Sequence, residues 1–189
     1  GDMGDGILMG VAAGGQAINM GEAFICVASY PPADLTYGIF LNNSGQRFVA
    51  EDSYIGRIGA AILKQDKAEA YMFIDNRNFA RPEYMNGTEI VAVGETVEEV
   101  ARESPLPPGM LEHSVAYYNE HAAKGEDPLF QKAPRWLQPF DSAPYALISY
   151  HLRDISPHIF TLGGLDVRAT GEVLTPNGRK PIPGLYAAG

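Results

Sequence analysis

The chain has 189 residues, 46% of them apolar and 20% charged, which is enough for a domain with a real core and too apolar for a disordered segment. Its formal net charge of -9 includes no basic stripe, which excludes a nucleic-acid footprint, and no apolar run approaches the ~20 residues that span a bilayer. The one cysteine, Cys26, cannot form an internal disulfide, which fits a reducing, cytoplasmic compartment.

Residues 1–6 are glycine and aspartate around one methionine. A run of small and apolar residues then reads as a helix from Ile7 to about Met20, in which Gly10, Gly14 and Gly15 admit a close neighbour. Asp5 stands where a carboxylate can cap the first amides. Residues 23–29 and 37–41 read as strands, with Cys26 a small buried residue of the first. Asn42-Asn43-Ser44-Gly45 makes a turn, and residues 46–49 return as the second arm of a hairpin. Glu51, Asp52 and Ser53 open a helix over residues 54–63, and residues 70–74 form a short apolar strand.

Thr96 followed by Glu99 is a capping box that starts another helix. Beyond Pro105, Pro107 and Pro108, the residues Leu111, Val115, Tyr118 and Ala122 recur at helical spacing on one face, and Lys124-Gly125 ends that helix. Residues 125–143 read as a loop carrying Phe130, Trp136 and Phe140, and residues 144–152 as a strand. The remainder reads as short strands around tight turns and stops at Ala187-Ala188-Gly189 without a polar close, as at a cut. The order of elements is mixed, so the fold class is α+β and not a regular βαβ alternation.

Three segments carry a resemblance. The first is Gly4-Asp5-Gly6-Ile7 with Met9-Gly10 and the small-residue helix. The second is Gly38-Ile39-Phe40-Leu41-Asn42, then Gly45-Gln46-Arg47-Phe48-Val49 and Glu51-Asp52. The third is Thr161-Leu162-Gly163-Gly164-Leu165, then Gly178, and Pro183-Gly184-Leu185-Tyr186-Ala187-Ala188-Gly189. In this order the chain resembles the fumarate reductase/succinate dehydrogenase flavoprotein superfamily, nearest its soluble branch with the 3-ketosteroid dehydrogenases. The resemblance implies a capping domain excised from a Rossmann-type FAD domain. Residues 1–22 and 156–189 would be arms belonging to that domain, and residues 23–155 the cap over the substrate. No strand-then-Gly-x-Gly-x-x-Gly context is present in the chain itself. The partners implied are a hydrophobic small-molecule substrate and the missing FAD domain of the same chain, and the piece alone is expected to be inactive without its FAD. The two glycine-bearing ends should then meet on one side.

The resemblance implies that Gly4, Asp5, Gly6, Thr161, Gly163, Gly164, Ala187, Ala188 and Gly189 line the cofactor; read from residues alone, the glycines are turn formers. The parent reaction is hydride exchange with flavin coupled to proton transfer at a carbon beside a carbonyl. Fumarate reductases of this type carry an arginine four residues beyond the glutamate of Arg-Phe-x-x-Glu. Here Glu51 is that glutamate and Ile55 occupies the place. They also carry histidine before Gly-Gly, where Phe160 stands nearest, and histidine before a proline, where Tyr30 precedes Pro31. A dicarboxylate needs cationic donors, so these departures count against fumarate or enoate reduction. The ketosteroid enzymes use tyrosine, and Tyr54 stands close to that position, with Arg57 one turn on. The catalytic candidates are therefore Tyr54 and Arg57, and the substrate-binding candidates Tyr30 and Phe160. Tyr37, Phe130, Trp136 and Phe140 can either line a steroid pocket or form a small core. His113, His121 and His151 have no partner at metal-ligand spacing. A binding module that kept the cap without its chemistry is the reading from another class.

Overall fold

The computed structural model describes residues 3–26, 33–80, 87–155 and 157–188. In chain order these residues form α1 (Asp5–Ala12), β1 (Ala17–Ile18), β2 (Ala23–Cys26), β3 (Ile39–Leu41), α2 (Ile55–Leu63), β4 (Tyr71–Asp75) and β5 (Ile90–Gly94). There follow α3 (Val97–Glu103), α4 (Met110–Ala122), β6 (Tyr145–Ser149), β7 (His158–Thr161), β8 (Gly164–Leu165), β9 (Glu172–Leu174) and β10 (Pro181–Tyr186). The mixed α+β class is as expected. Among the described residues no helix is long and apolar enough to cross a membrane.

The chain divides into two compact units, residues 25–159 and residues 1–24 together with 160–189. The first is built on a four-stranded antiparallel sheet of order β3-β4-β6-β5. All five residues of β4 are buried, as expected of a strand covered on both faces. Phe73 stacks on Tyr145 and meets Phe140 edge-on. The predicted face of α4 is the buried one: Leu111, Val115, Tyr118 and Ala122 join Ile39, Leu41, Tyr71, Phe73 and Leu147 in one core. Each large apolar side chain so buried stabilises the unit by about 1.5–3 kcal/mol. α3 starts on the expected capping box, with Glu99 N donating to Thr96 Oγ1 and Glu95 N donating to Glu99 Oε2.

Several expectations change. The turn over residues 42–45 forms, with Gly45 N donating to Asn42 O and Asn42 N to Gln46 O. The second arm pairs only through a bridge between Leu41 and Arg47, because on the outer edge of β3 Phe40 N donates to the Glu51 carboxylate instead of to a strand. The residues before α2 do not cap it, since α2 has no side-chain cap. β5 was not anticipated: it is a sheet edge whose Ile90 and Val93 are both about half exposed, so no apolar alternation marks it. Cys26 is half-buried, with its thiol raised by burial.

In the other unit, the two ends of the chain fold together. β1 pairs antiparallel with β8, Gln16 N donates to Leu174 O, and Asp166 N donates to Gln16 O. The first helix stops at Ala12 and not near Met20. Gly14 takes φ +94°, and Gly15 N donates back to Gly10 O, which turns the chain into β1. At Gly10 the Leu165 side chain packs against the bare backbone, and a Cβ there would displace its methyl groups. Asp5 is the first helical residue and makes no capping bond.

Candidate functional site

The unit made from the two chain ends holds the glycine candidates. Gly4 sits at φ +79° before α1, a conformation that side chains rarely adopt, and α1 therefore starts without a side-chain cap. A Cβ on either Gly4 or Gly6 would meet nothing within 4 Å. Gly164 is equally open, whereas a Cβ on Gly163 would press on Asn19 O at 2.7 Å. Gly163 thus serves close packing within the protein, and Gly4, Gly6 and Gly164 leave bare backbone facing open space. Asp5, Thr161 and Ala188 are exposed and Ala187 is half-buried, its N–H donating to Gly171 O. Gly189 lies outside the described residues. Phe160 is 62% exposed and tilts against Phe24 with ring centroids 5.9 Å apart. Tyr186 is 63% exposed, while Leu165 and Leu185 are half-buried.

The unit of residues 25–159 holds Tyr54 and Arg57. Tyr54 heads α2 and is 73% exposed; its carbonyl accepts from Arg57 N at 2.8 Å and Ile58 N at 3.2 Å. Arg57 is also exposed, one turn along. Ile58, Gly59 and Ile62 are the buried side of the same helix, and a Cβ on Gly59 would overlap the Ile25 carbonyl. α2 is therefore pinned on its inner side while Tyr54 and Arg57 face outward. Tyr30 lies outside the described residues.

Directly before Tyr54 lies a cluster of charges that sequence reasoning missed. Arg47 donates through Nη2 to Glu51 Oε2 at 2.8 Å and through Nη1 to Asp127 Oδ1 at 2.9 Å. Lys132 Nζ lies 3.3 Å from Glu51 Oε2 and donates to Gly38 O at 2.8 Å. None of the four side chains is more than 4% exposed. Two positive and two negative groups make the cluster neutral. The Arg47 guanidinium lies over the ring of Tyr118 and over that of Phe130, 5.1 Å from each centroid. Burial alone would push the Asp127 carboxyl up; the hydrogen bonds and charge of Arg47, with backbone amides, hold it below the usual range. Burial pushes the Lys132 ammonium down, against the pull of Glu51. The spacing of Arg47 and Glu51 was a visible signal; the loop that supplies Asp127 and Lys132 has no periodicity to mark it.

The aromatic residues considered as pocket lining mostly do other work. Phe140 is core, Trp136 packs edge-on against Tyr37, and Phe130 lies under Arg47. Phe130 also borders an open groove of about 440 Å³ with Met110, His113, Tyr117 and Leu129. His151 packs edge-on against Tyr71 and His121 packs tilted against Tyr117, each with a buried, unpartnered Nδ1, while His113 is exposed.

The 3-ketosteroid-delta4-(5alpha)-dehydrogenase of Rhodococcus jostii RHA1, solved with 4-androstene-3,17-dione, matches with a TM-score of 0.82 at 35% identity, over 98% of this chain and 38% of that one. A probable fumarate reductase of Shewanella frigidimarina is 32% identical over 155 residues, 80% of this chain and 25% of that protein. A 3-oxo-5-alpha-steroid 4-dehydrogenase of Comamonas testosteroni is 24% identical over 98% of this chain and 38% of its own length. The chain thus spans a quarter to two fifths of the length of these relatives. The family described as FAD binding domain matches residues 1–189. With that match over the whole sequence, and with reductases and dehydrogenases among its relatives, the chain belongs to the FAD-binding domain family of fumarate reductase and succinate dehydrogenase flavoproteins.

Proposed function

We propose that residues 25–159 are the substrate-covering cap of an FAD-dependent oxidoreductase, and that the unit built from the two ends belongs with its FAD domain. The reaction class is hydride exchange between flavin and an activated carbon–carbon bond next to a carbonyl, on a 3-ketosteroid-like substrate. The observation that carries this reading is Tyr54: an outward-facing phenol at the head of α2, one residue before Ile55, which stands where a fumarate reductase of this type carries its arginine.

The residues fit the cofactor where the bare backbone of Gly4, Gly6 and Gly164 leaves open space, and where the uncapped amides of α1 suit an anionic group. When bound, FAD supplies the hydride acceptor. The chain's own part is the proton. Tyr54, acting as its phenolate, takes the proton from the carbon next to the carbonyl while the neighbouring carbon gives up its hydrogen as hydride and the double bond forms; in the reverse direction the phenol returns that proton. Arg57 keeps positive charge beside it on the same helix. Phe160 and Phe24 offer apolar surface suited to a steroid skeleton.

The likeness to a probable fumarate reductase supports the second reading, reduction of a small unsaturated acid. The experiment separates the two. The full-length protein is purified, its flavin absorbance recorded, and turnover measured with a 3-ketosteroid plus an artificial acceptor and with fumarate plus a reduced dye. Steroid turnover is expected, falling by about 10²- to 10⁴-fold in Tyr54→Phe, the usual range for a lost general base. Turnover of fumarate alone refutes the steroid reading. A protein without flavin absorbance refutes both.

A further inference from the structure

Lys132 has no exposed side-chain surface, although a lysine in a loop ordinarily keeps its ammonium in water. Its Nζ reaches Gly38 O just before β3 and Glu51 Oε2 before α2. The next residue repeats the grip: Ala133 N donates to Asp52 Oδ2 at 2.9 Å. Two consecutive residues of one loop therefore hold two consecutive residues of another, 81 positions away. The loop end is itself fixed, because Lys132 N donates to Asp127 Oδ2 at 3.2 Å while Asp127 is locked to Arg47. On the far side, Glu51 Oε1 accepts from Phe40 N of β3 at 2.9 Å. Ser53 N donates to Ala50 O, and Tyr54 follows.

The chain from Ala50 to Tyr54 is thus tied on one side to the central sheet and on the other to residues 132–133. We propose that Lys132, seconded by the Ala133 amide, is a positioning residue for the proton-transfer chemistry: it fixes the Glu51-Asp52 turn and through it the placement of Tyr54 at the head of α2. This inference rests on the reading of Tyr54 given above. The physical case is directional. An ion pair taken out of water adds little net stability, yet it permits few geometries, because each oxygen and each N–H must find its one partner. Proton transfer tolerates misplacement poorly; about 1 Å can cost 10²-fold in rate. The two tethers rest on different side chains, Lys132 Nζ on Gly38 O and Glu51, and Asp52 Oδ2 under the Ala133 amide, so each can be cut by its own substitution.

The test uses the full-length flavoprotein and the rate of flavin reduction by a 3-ketosteroid in a single turnover. Lys132→Met, Asp52→Ala, Tyr54→Phe and the two double variants with Tyr54→Phe are compared, with FAD content and far-UV circular dichroism checked for each. Lys132→Met is expected to slow reduction by about 10- to 10²-fold with little change in the steroid concentration at half-maximal rate, and Asp52→Ala by less. In the Tyr54→Phe background both should have almost no further effect, since they act through the missing hydroxyl. A merely structural role would instead slow the reaction equally in both backgrounds, and that result overturns the proposal, as does an unchanged rate in a folded, FAD-loaded variant. Should Lys132→Met not fold, Asp52→Ala decides by the same criterion. Tyr54→Phe at the wild-type rate overturns the Tyr54 reading, and the positioning role with it. A slow Tyr54→Phe with additive tether variants overturns the positioning role alone.

Discussion

Gly59→Ala tests whether the placement of α2 matters, by adding a single methyl group. In an isolated helix the change would be favourable by about 1 kcal/mol, because alanine loses less backbone entropy than glycine. Here the new Cβ would overlap the Ile25 carbonyl oxygen and come within 2.8 Å of its carbon and 2.9 Å of Ile25 Cβ. The obstacle is backbone, which cannot rotate aside as a side-chain end can, so α2 must retreat by about 1 Å to restore ordinary contact. Overpacking costs about 1–3 kcal/mol, and a clash with backbone belongs in the upper part of that range, about 2–3 kcal/mol, so after the propensity gain of about 1 kcal/mol a net loss of about 1–2 kcal/mol is expected. Urea unfolding followed by Trp136 fluorescence measures it, since Trp136 is the only tryptophan of the chain and packs on Tyr37 in the same unit. In the full-length protein the retreat of α2 carries Tyr54 with it, and kcat on a 3-ketosteroid should fall by about 10²-fold. An alanine variant as stable as wild type would show that α2 has slack against the chain at Ile25. A destabilised variant with unchanged kcat would show that the seating of α2 does not govern the chemistry.

Two further perturbations address the charge cluster and the glycines. Arg47→Met leaves Glu51 and Asp127 buried without their bidentate partner and should cost about 3–5 kcal/mol at neutral pH, read as a lower urea midpoint. The pH dependence has a definite sign: the Asp127 carboxyl titrates lower in the folded chain than its ordinary ~3.9, so its contribution is full above that value and is lost as pH falls through the folded pKa. Wild type should lose stability steeply below about pH 4 and Arg47→Met much less so; equal acid slopes would contradict the assignment. Gly6→Ala adds a Cβ into open space on α1, so the fold should be unharmed or gain up to about 1 kcal/mol, while FAD retained by the full-length protein, measured as flavin absorbance per protein, should drop. Undiminished FAD would place Gly6 away from the cofactor.

What could be read from the sequence follows from how local the signal is. α4 was legible because four residues at helical spacing all had to face the same core, and α3 because Thr96 and Glu99 cap one turn by themselves. α1 was read too long: apolar content continued past Ala12, but the positive φ of Gly14 ended the helix, and a glycine-rich run does not say which glycine will do so. The hairpin was legible at its turn, which forms, but not in its second arm, because the outer edge of β3 gives Phe40 N to the Glu51 carboxylate, a partner that turn chemistry does not announce. The glycines that now face open space could be named from motif spacing, yet the difference between Gly163, packed on Asn19, and Gly164, open, exists only in three dimensions. Half of the buried cluster was visible as Arg47 and Glu51; Asp127, 80 residues beyond Arg47, was not.

That cluster also bears on why four charges are kept where apolar side chains would pack. Replacing a buried ionic group by hydrophobic residues of similar volume is often neutral or stabilising, so net stability is a weak reason for its presence. Its geometry offers a stronger one. Glu51 Oε1 takes Phe40 N and Arg47 Nε, its Oε2 takes Arg47 Nη2 and faces Lys132, and Asp127 takes both Arg47 Nη groups and Lys132 N. An apolar core would tolerate a turn before α2 that slipped by one residue, because methyl groups have no required partner. In this cluster the same slip strands a charge out of water at a cost of about 3–5 kcal/mol. The cluster therefore acts by penalising every other arrangement of residues 47–52, and the residue whose placement that penalty fixes next along the chain is Tyr54.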